Sequence, residues 1–258
     1  MEEIIYRELA GKLGLPMNFV IKDYYLMRLL QYVSLYGKGQ FVLTGGTAIN
    51  KVYLKDNARF SEDADFELIR KPNLHSVIKT IDNISDNAKE FPEKKKRLLK
   101  VYCQVDFLYR TAKISTDNVR LDVAFNELAD KNSFTVIDEI TSPFSQEKAH
   151  GLMVYKLEEL LARKLYVIYE RTEGKDLYDV FYSMGLVDRK NLYVSGKRLL
   201  GKNGIDFDTA INTIIEKLRN IDNRYIASKT NSYIPLSLRP TDWRILSNSI
   251  ADYLSTLK

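Results

Sequence analysis

The run Asp63-Ala64-Asp65-Phe66-Glu67-Leu68 alternates without a break, placing Ala64, Phe66 and Leu68 on one side of an extended chain and Asp63, Asp65 and Glu67 on the other. Side chains leave a strand at a period of two, so the segment is predicted as a strand with one face in a core and one face lined by carboxylates. A helix would scatter the same residues around its circumference and bury charge wherever it buried Phe66. Val101 to Tyr109 and Val119 to Phe125 alternate in the same way, with a polar turn at Ser115 to Asn118 between them, and Phe41-Val42-Leu43 reads as a short apolar strand. Helical spacing of apolar residues marks Val20 to Tyr36, a brief helix from Ala48 to Leu54, and Leu74 to Asp86. From Leu152 onward only helical periodicity is left, in Leu157 to Tyr169, Leu177 to Met184, Phe207 to Ile221 and Asp242 to Leu257. The expected architecture is α+β: a mixed sheet flanked by helices over residues 1–147, then an α-helical domain over 148–258, with the boundary between Ser142 and Gly151.

Composition narrows the chemistry. The 258 residues contain two histidines, His75 and His150, and one cysteine, Cys103. That excludes a four-thiolate or two-thiolate, two-imidazole zinc site, a three-histidine zinc centre and any intrachain disulfide. A metal in this chain is held by carboxylates, hard donors that suit Mg2+ or Mn2+. Lys and Arg number 39 against 34 Asp and Glu; up to residue 150 the counts are 22 and 21, and beyond it 17 and 13. A more basic C-terminal part suits a polyanionic partner. The N-terminus has neither the basic start nor the apolar core of a signal peptide, and no segment reaches the ~20 apolar residues of a membrane span, so the expected location is the cytoplasm.

Asp63 and Asp65, at i and i+2 on a strand, project from the same face, and two like charges so placed repel unless a cation joins them. Upstream, Thr44-Gly45-Gly46-Thr47 stands where a strand passes into a helix, and glycines there let backbone N–H groups approach an anion closely. Arg120-Leu121-Asp122-Val123-Ala124-Phe125 offers a third carboxylate on the face opposite an apolar stripe, and Asp106 in Gln104-Val105-Asp106-Phe107 is a rival with the same local pattern. Three carboxylates holding two divalent ions suit in-line transfer at phosphorus.

The blocks LTGGTAINKVY, RFSEDADFEL, VRLDVAF, LEELLARKLYVIYER and KDLYDVF, in that order from about Lys22 to Met184, resemble the AbiEii family of nucleotidyltransferase toxins, built on the DNA polymerase β type nucleotidyltransferase core. The resemblance implies that Gly45, Gly46 and Thr47 line a triphosphate pocket, that Ser61, Asp63 and Asp65 form the first acidic motif, and that Asp122 is the third carboxylate, with Asp63, Asp65 and Asp122 as metal ligands. It implies further that Lys164 grips nucleotide phosphates and that Asp176 belongs to the last acidic motif. One departure is visible. The family commonly has Arg before this Asp, and here Lys175 replaces a planar bidentate donor with a point charge.

The activity so implied is Mg2+-dependent transfer from an NTP to an RNA acceptor, with the tRNA 3′ end as the leading acceptor. The protein would be the toxin of a bacterial toxin–antitoxin or phage-defence pair with a cognate antitoxin protein. A small-molecule or protein hydroxyl as acceptor, and a GTP-binding module without turnover, are the alternatives. RNA contacts are expected on the basic helical domain. Local readings compete at several residues. Lys164 could snorkel along its helix, Asp176 could cap the helix it precedes, Ser61 could satisfy a turn, and Arg59 could contact phosphate or pair with Glu62. Lys94-Lys95-Lys96-Arg97 has the composition of an RNA-binding patch but is read as a solvated face, and Tyr166, Tyr169 and Tyr178 as core or rim residues before stacking surfaces.

Overall fold

The computed structural model describes residues 3–69, 73–111 and 116–257. In chain order the elements are α1 (Glu3–Leu13), α2 (Met17–Tyr36), β1 (Phe41–Thr44), α3 (Gly45–Ala48), β2 (Asp63–Leu68), α4 (Leu74–Asn87), β3 (Glu93–Leu98), β4 (Tyr102–Arg110), β5 (Thr116–Leu128), β6 (Phe134–Thr141) and β7 (Lys148–Tyr155). The helices α5 (Leu157–Glu170), α6 (Gly174–Ser183), α7 (Arg189–Lys202), α8 (Phe207–Arg219), α9 (Asn223–Thr230) and α10 (Trp243–Ser255) complete the chain. The fold is α+β, and the chain divides into two compact units. The first comprises residues 1–56 and 60–155, and the second 57–59 and 156–258. No described helix is long and apolar enough to cross a membrane.

The first unit is one seven-stranded sheet in the order β3-β4-β5-β2-β1-β7-β6. Two pairs are parallel, β2 with β5 and β1 with β7, and the others antiparallel. The apolar sides of the alternating runs make the buried face: Ala64, Phe66, Val105, Phe107, Leu121 and Val123 are all 1% exposed or less. The amphipathic helix α2 packs across β2, β5 and β7, with α4 beside it.

The division falls after Tyr155 and not at 147, because β7 is the middle of a three-strand arrangement. It pairs parallel with β1 through Leu43 and Val154 and antiparallel along most of β6. Of the expected polar turn between the second and third alternating runs, 116–118 lie in β5, which begins at Thr116, and Ser115 lies outside the described residues. The brief helix after the glycine pair is α3 followed by a π-helical turn, Ile49–Leu54, a wide coil frequent at functional sites.

That π-turn carries a buried charge. Lys51 donates to Asp23 of α2 and to Ser142 Oγ (3.2 Å), and its ammonium lies 4.7 Å from the centre of the Phe144 ring. Asp23 also accepts from Ser142 Oγ, from Ser145 Oγ (2.7 Å) and from Ser145 N (3.2 Å). Both charged side chains are fully buried, and burial pulls the Lys51 ammonium well below its ordinary pKa. The network ties α2, the coil after β1 and the β6–β7 connection together.

The second unit is a helical assembly around one core in which Leu165, Leu177, Tyr178, Leu200, Ile214, Trp243 and Ile250 are almost wholly buried. Asp188, Asp206, Asp222 and Asp242 cap α7, α8, α9 and α10 by accepting backbone N–H bonds.

Removing one partner of a buried ion pair leaves an uncompensated charge, whereas removing both does not. Lys51→Met is therefore expected to cost about 3–5 kcal/mol in chemical denaturation, and the double change Asp23→Leu with Lys51→Met to cost markedly less. A loss in the double variant equal to the sum of the losses in Lys51→Met and Asp23→Leu would show that Asp23 and Lys51 are not coupled.

Candidate active site

The register of the first unit's sheet assembles the carboxylates. β2 pairs with β5 so that Asp63 stands opposite Arg120 and Asp65 opposite Asp122. On the far side of β5, Asp106 of β4 stands opposite Arg120 and Gln104 opposite Asp122. On the far side of β2, Thr44 of β1 stands opposite Asp65. All these side chains share the face turned away from the core. Asp65 and Asp122, matched on neighbouring strands, have their backbones about 5 Å apart.

Asp65 is fixed by glycine. Gly45 has a φ of +71°, and a Cβ there would lie 2.5 Å from Asp65 Oδ2. No side chain fits between the turn and the carboxylate. Gly46 accepts from Asn50 Nδ2 (2.9 Å) through its carbonyl. The resemblance implies that Thr47 lines a triphosphate pocket; its side chain is fully buried, and its hydroxyl donates to the Asp63 carbonyl and is hydrogen-bonded to Ser61 Oγ (3.0 Å), which can donate to it in turn. It is a positioning residue for the start of β2.

Asp122 accepts from Gln104 Nε2 at 3.0 Å. Burial pushes its carboxyl above the ordinary carboxylate range. The Gln104 hydrogen bond and Arg120 oppose this, while Asp63 and Asp106 add to it. The rival carboxylate, Asp106, is buried and accepts from Arg120 Nε (2.8 Å) and Asn118 Nδ2 (3.1 Å). Its charge is balanced by a guanidinium, and β5 separates it from β2.

A divalent cation fits this donor set. Crowded carboxylates with one proton affinity raised are relieved by a positive charge, and Mg2+ is ordinarily held by one or two carboxylates together with waters and substrate phosphates. Asp65 and Asp122 supply such a pair, with Asp63 one step along the same face and exposed. No group of three His, Cys, Asp or Glu side chains converges among the described residues, so the expected three-carboxylate cage is not closed by the protein alone. His75 and His150 are exposed, and Cys103 is buried on the core face with its thiol pushed up by burial.

The second unit carries its own charge cluster. Lys164 of α5 pairs with Asp176 Oδ1 (2.7 Å) and Asp179 Oδ2 (2.9 Å) of α6. Burial lowers the Lys164 pKa, but Asp179 and Asp176 raise it more, and the net shift is upward. Lys164 thus does not snorkel to water. Asp176 does not cap α6 either; it lies within the first turn, and its Oδ2 is buried without a hydrogen-bond partner among the described residues. Arg59 has a partner that the sequence did not suggest. It donates to Asp179 Oδ1 (2.8 Å) and to the Lys175 carbonyl (3.2 Å). Asp179 was overlooked, although its i+3 spacing from Asp176 puts both on one helical face. Lys175 places its ammonium 3.3 Å from the centre of the Tyr233 ring. Tyr178 is core, donating to the Asn57 carbonyl at 3.0 Å, and Tyr166 and Tyr169 pack against the core edge.

Comparisons with known proteins agree with the family resemblance of the sequence blocks. Residues 28–194 match the family model described as nucleotidyl transferase AbiEii toxin, type IV toxin–antitoxin system. No curated protein matches the sequence. Among solved structures, the fold is similar to MenT4, the nucleotidyltransferase toxin Rv2826c of Mycobacterium tuberculosis H37Rv (TM-score 0.64, 16% identity, covering 100% of this chain and 91% of that one). It is also similar to JHP933 of Helicobacter pylori (TM-score 0.59, 14% identity, covering 94% and 93%). A putative nucleotidyltransferase from H. pylori is similar as well (TM-score 0.52, 16% identity, covering 95% and 99%).

The contact between Gly45 and Asp65 gives a test of the geometry. Gly45→Ala imposes both a left-handed backbone on alanine, about 1–2 kcal/mol, and a collision with the carboxylate. Thermal unfolding should show a larger loss than that figure, and Asp65→Ala in the same chain should return part of it. A cost for Gly45→Ala that is the same with and without the Asp65 carboxylate would exclude the collision.

Proposed function

From the chain's membership of the AbiEii family of type IV toxin–antitoxin nucleotidyltransferases, we propose that it is a Mg2+-dependent toxin that moves a nucleotide from an NTP to an RNA acceptor, with the tRNA 3′ end as the favoured acceptor. The observation that carries the reading is the in-register pair Asp65 and Asp122 beside the Gly45 turn. Divalent ions bound there supply the charge neutralisation that in-line displacement at phosphorus requires.

The residues divide the work. Gly45 and Gly46 let a phosphate oxygen approach the backbone, and Thr47 holds Ser61 and the start of β2 in place. Asp63 and Asp65 are the carboxylates that would hold the cations. Asp122, its carboxyl raised first by burial and then by Asp63 and Asp106, and oriented by Gln104, orients the acceptor hydroxyl and receives its proton as the oxygen attacks the α-phosphorus and pyrophosphate leaves. In the helical unit, Lys164 contributes a fixed positive charge for phosphate oxygens, with Asp176 and Asp179 keeping it protonated. Catalysis then rests on positioning and electrostatics. A separately encoded antitoxin is the expected protein partner.

Incubation with each labelled NTP, Mg2+ and total tRNA should place label in RNA. Label found only on a small molecule or a protein would move the acceptor elsewhere, and none at all would defeat the transfer reading. Asp65→Asn and Asp122→Asn should each lower transfer by about 100-fold or more, as losses of positioned charge in a site do, while circular dichroism stays unchanged. Both variants should also abolish growth inhibition on expression in a bacterial host. Growth inhibition that survives Asp65→Asn would point to toxicity by binding without turnover.

A further inference from the structure

The strand bordering the acidic face has no role in the reading above. In sequence, Lys94-Lys95-Lys96-Arg97 is one basic run; in the sheet its members part. Lys96 stands opposite the core residue Val105 and pairs with Asp82 of α4 at 2.5 Å. Lys95 stands opposite Asp106 and Arg97 opposite Gln104, so these two share the carboxylate face. One row of that face reads Arg97, Gln104, Asp122, Asp65, Thr44. Lys95 is 57% exposed and lies 3.3 Å from Glu93. Arg97 is exposed, with no ion-pair partner among the described residues.

The next row begins with Tyr102, opposite Ala124. The small Ala124 leaves a cavity of about 350 Å³, walled by Val101, Tyr102 and Gln104 on one side and by Asp122, Asp65 and Thr44 on the other. The hairpin tip is held in place by Leu99 N donating to the Tyr102 carbonyl (2.9 Å) and Phe125 N to that of Val101 (2.8 Å). Tyr102 is nevertheless 36% exposed and Val101 43%. A flat aromatic surface open to solvent thus stands beside the carboxylate pair, with a free guanidinium one row away.

In-line displacement puts the attacking hydroxyl and the departing pyrophosphate on opposite sides of the phosphorus. The Gly45 turn borders Asp65 from the β1 side, so the acceptor comes from the other side of the pair, where β4 and β3 lie. We propose that the β3–β4 hairpin is the acceptor-binding element: the terminal base of a single-stranded RNA 3′ end stacks on Tyr102 against Val101, and a backbone phosphate of the same strand pairs with Arg97. Stacking tolerates any base, so the element selects an unpaired 3′ end and not a sequence. The assignment rests on the RNA-transfer reading, and it moves the RNA contacts from the helical unit to the edge of the sheet.

The test uses the full chain, a short fluorescent single-stranded RNA with a free 3′ hydroxyl, and transfer of labelled NTP to total tRNA. Tyr102→Ala should weaken RNA binding about tenfold and raise the acceptor KM alike, while Tyr102→Phe stays within about twofold of wild type. Arg97→Ala should weaken binding and flatten the dependence of log affinity on log salt by roughly 0.7, whereas Arg97→Lys keeps the slope. The KM for NTP should not move in any of the four. If wild type binds and labels RNA and the variants match it, the hairpin assignment is overturned and the transfer reading stands. A raised NTP KM in Tyr102→Ala also overturns it, since the nucleotide base would then occupy the ring. Wild type that neither binds nor labels RNA removes both.

Discussion

The parallel pairing of β2 with β5 is the constraint on which the acidic face depends. A slip of one residue would turn Asp122 into the core and bring Leu121 or Val123 to the surface. The slip is resisted by the apolar faces themselves, because Ala64 and Phe66 are buried only when Leu121 and Val123 lie beside them under α2. Hydrophobic packing on one side of the sheet thereby sets the spacing of charges on the other. The carboxylates are held together against their own repulsion by free energy gained elsewhere.

Two buried charge clusters show different uses of desolvation. Asp23 and Lys51 lie wholly inside the first unit, saturated by Ser142 and Ser145. Such a pair contributes little net stability but is costly to break by halves, so it fixes which segments meet. Its place after the glycine turn matters, because the coil holding Lys51 continues directly from the residues that crowd Asp65. In the helical unit, Arg59 and Lys164 share Asp179, and Asp176 keeps one buried oxygen without a hydrogen-bond partner among the described residues. That cluster is less completely hydrogen-bonded than the first.

Much of this was legible along the chain. Strict alternation located β2, β4 and β5, and the same alternation placed Asp63, Asp65 and Asp122 on polar faces. Helical periodicity located α2, α4, α5, α6, α8 and α10, and the ordered blocks carried the family. The strands β3, β6 and β7 were not read as such. β3 is a basic edge strand exposed along its length, so burial leaves no period in it, and lysine on an edge is how sheets avoid pairing with other chains. β6 is mostly exposed too, and β7 contains Gly151 at a positive φ, which interrupts its pattern. The misplaced boundary follows from overlooking β7.

The sequence by itself determined the residue types at the site, their faces and the exclusion of thiolate-rich or three-histidine zinc sites and of an intrachain disulfide, since these depend only on composition and on a period of two. Which strand lies beside which was decided by tertiary structure. Asp122 and Asp106 have the same local pattern, and only the order β4-β5-β2 puts one beside Asp65 and the other against Arg120. The same order splits the run Lys94 to Arg97 between two faces and brings Arg97 into line with the carboxylates. Neighbouring strands are chosen by contacts between residues far apart in the chain, and no local period carries that information.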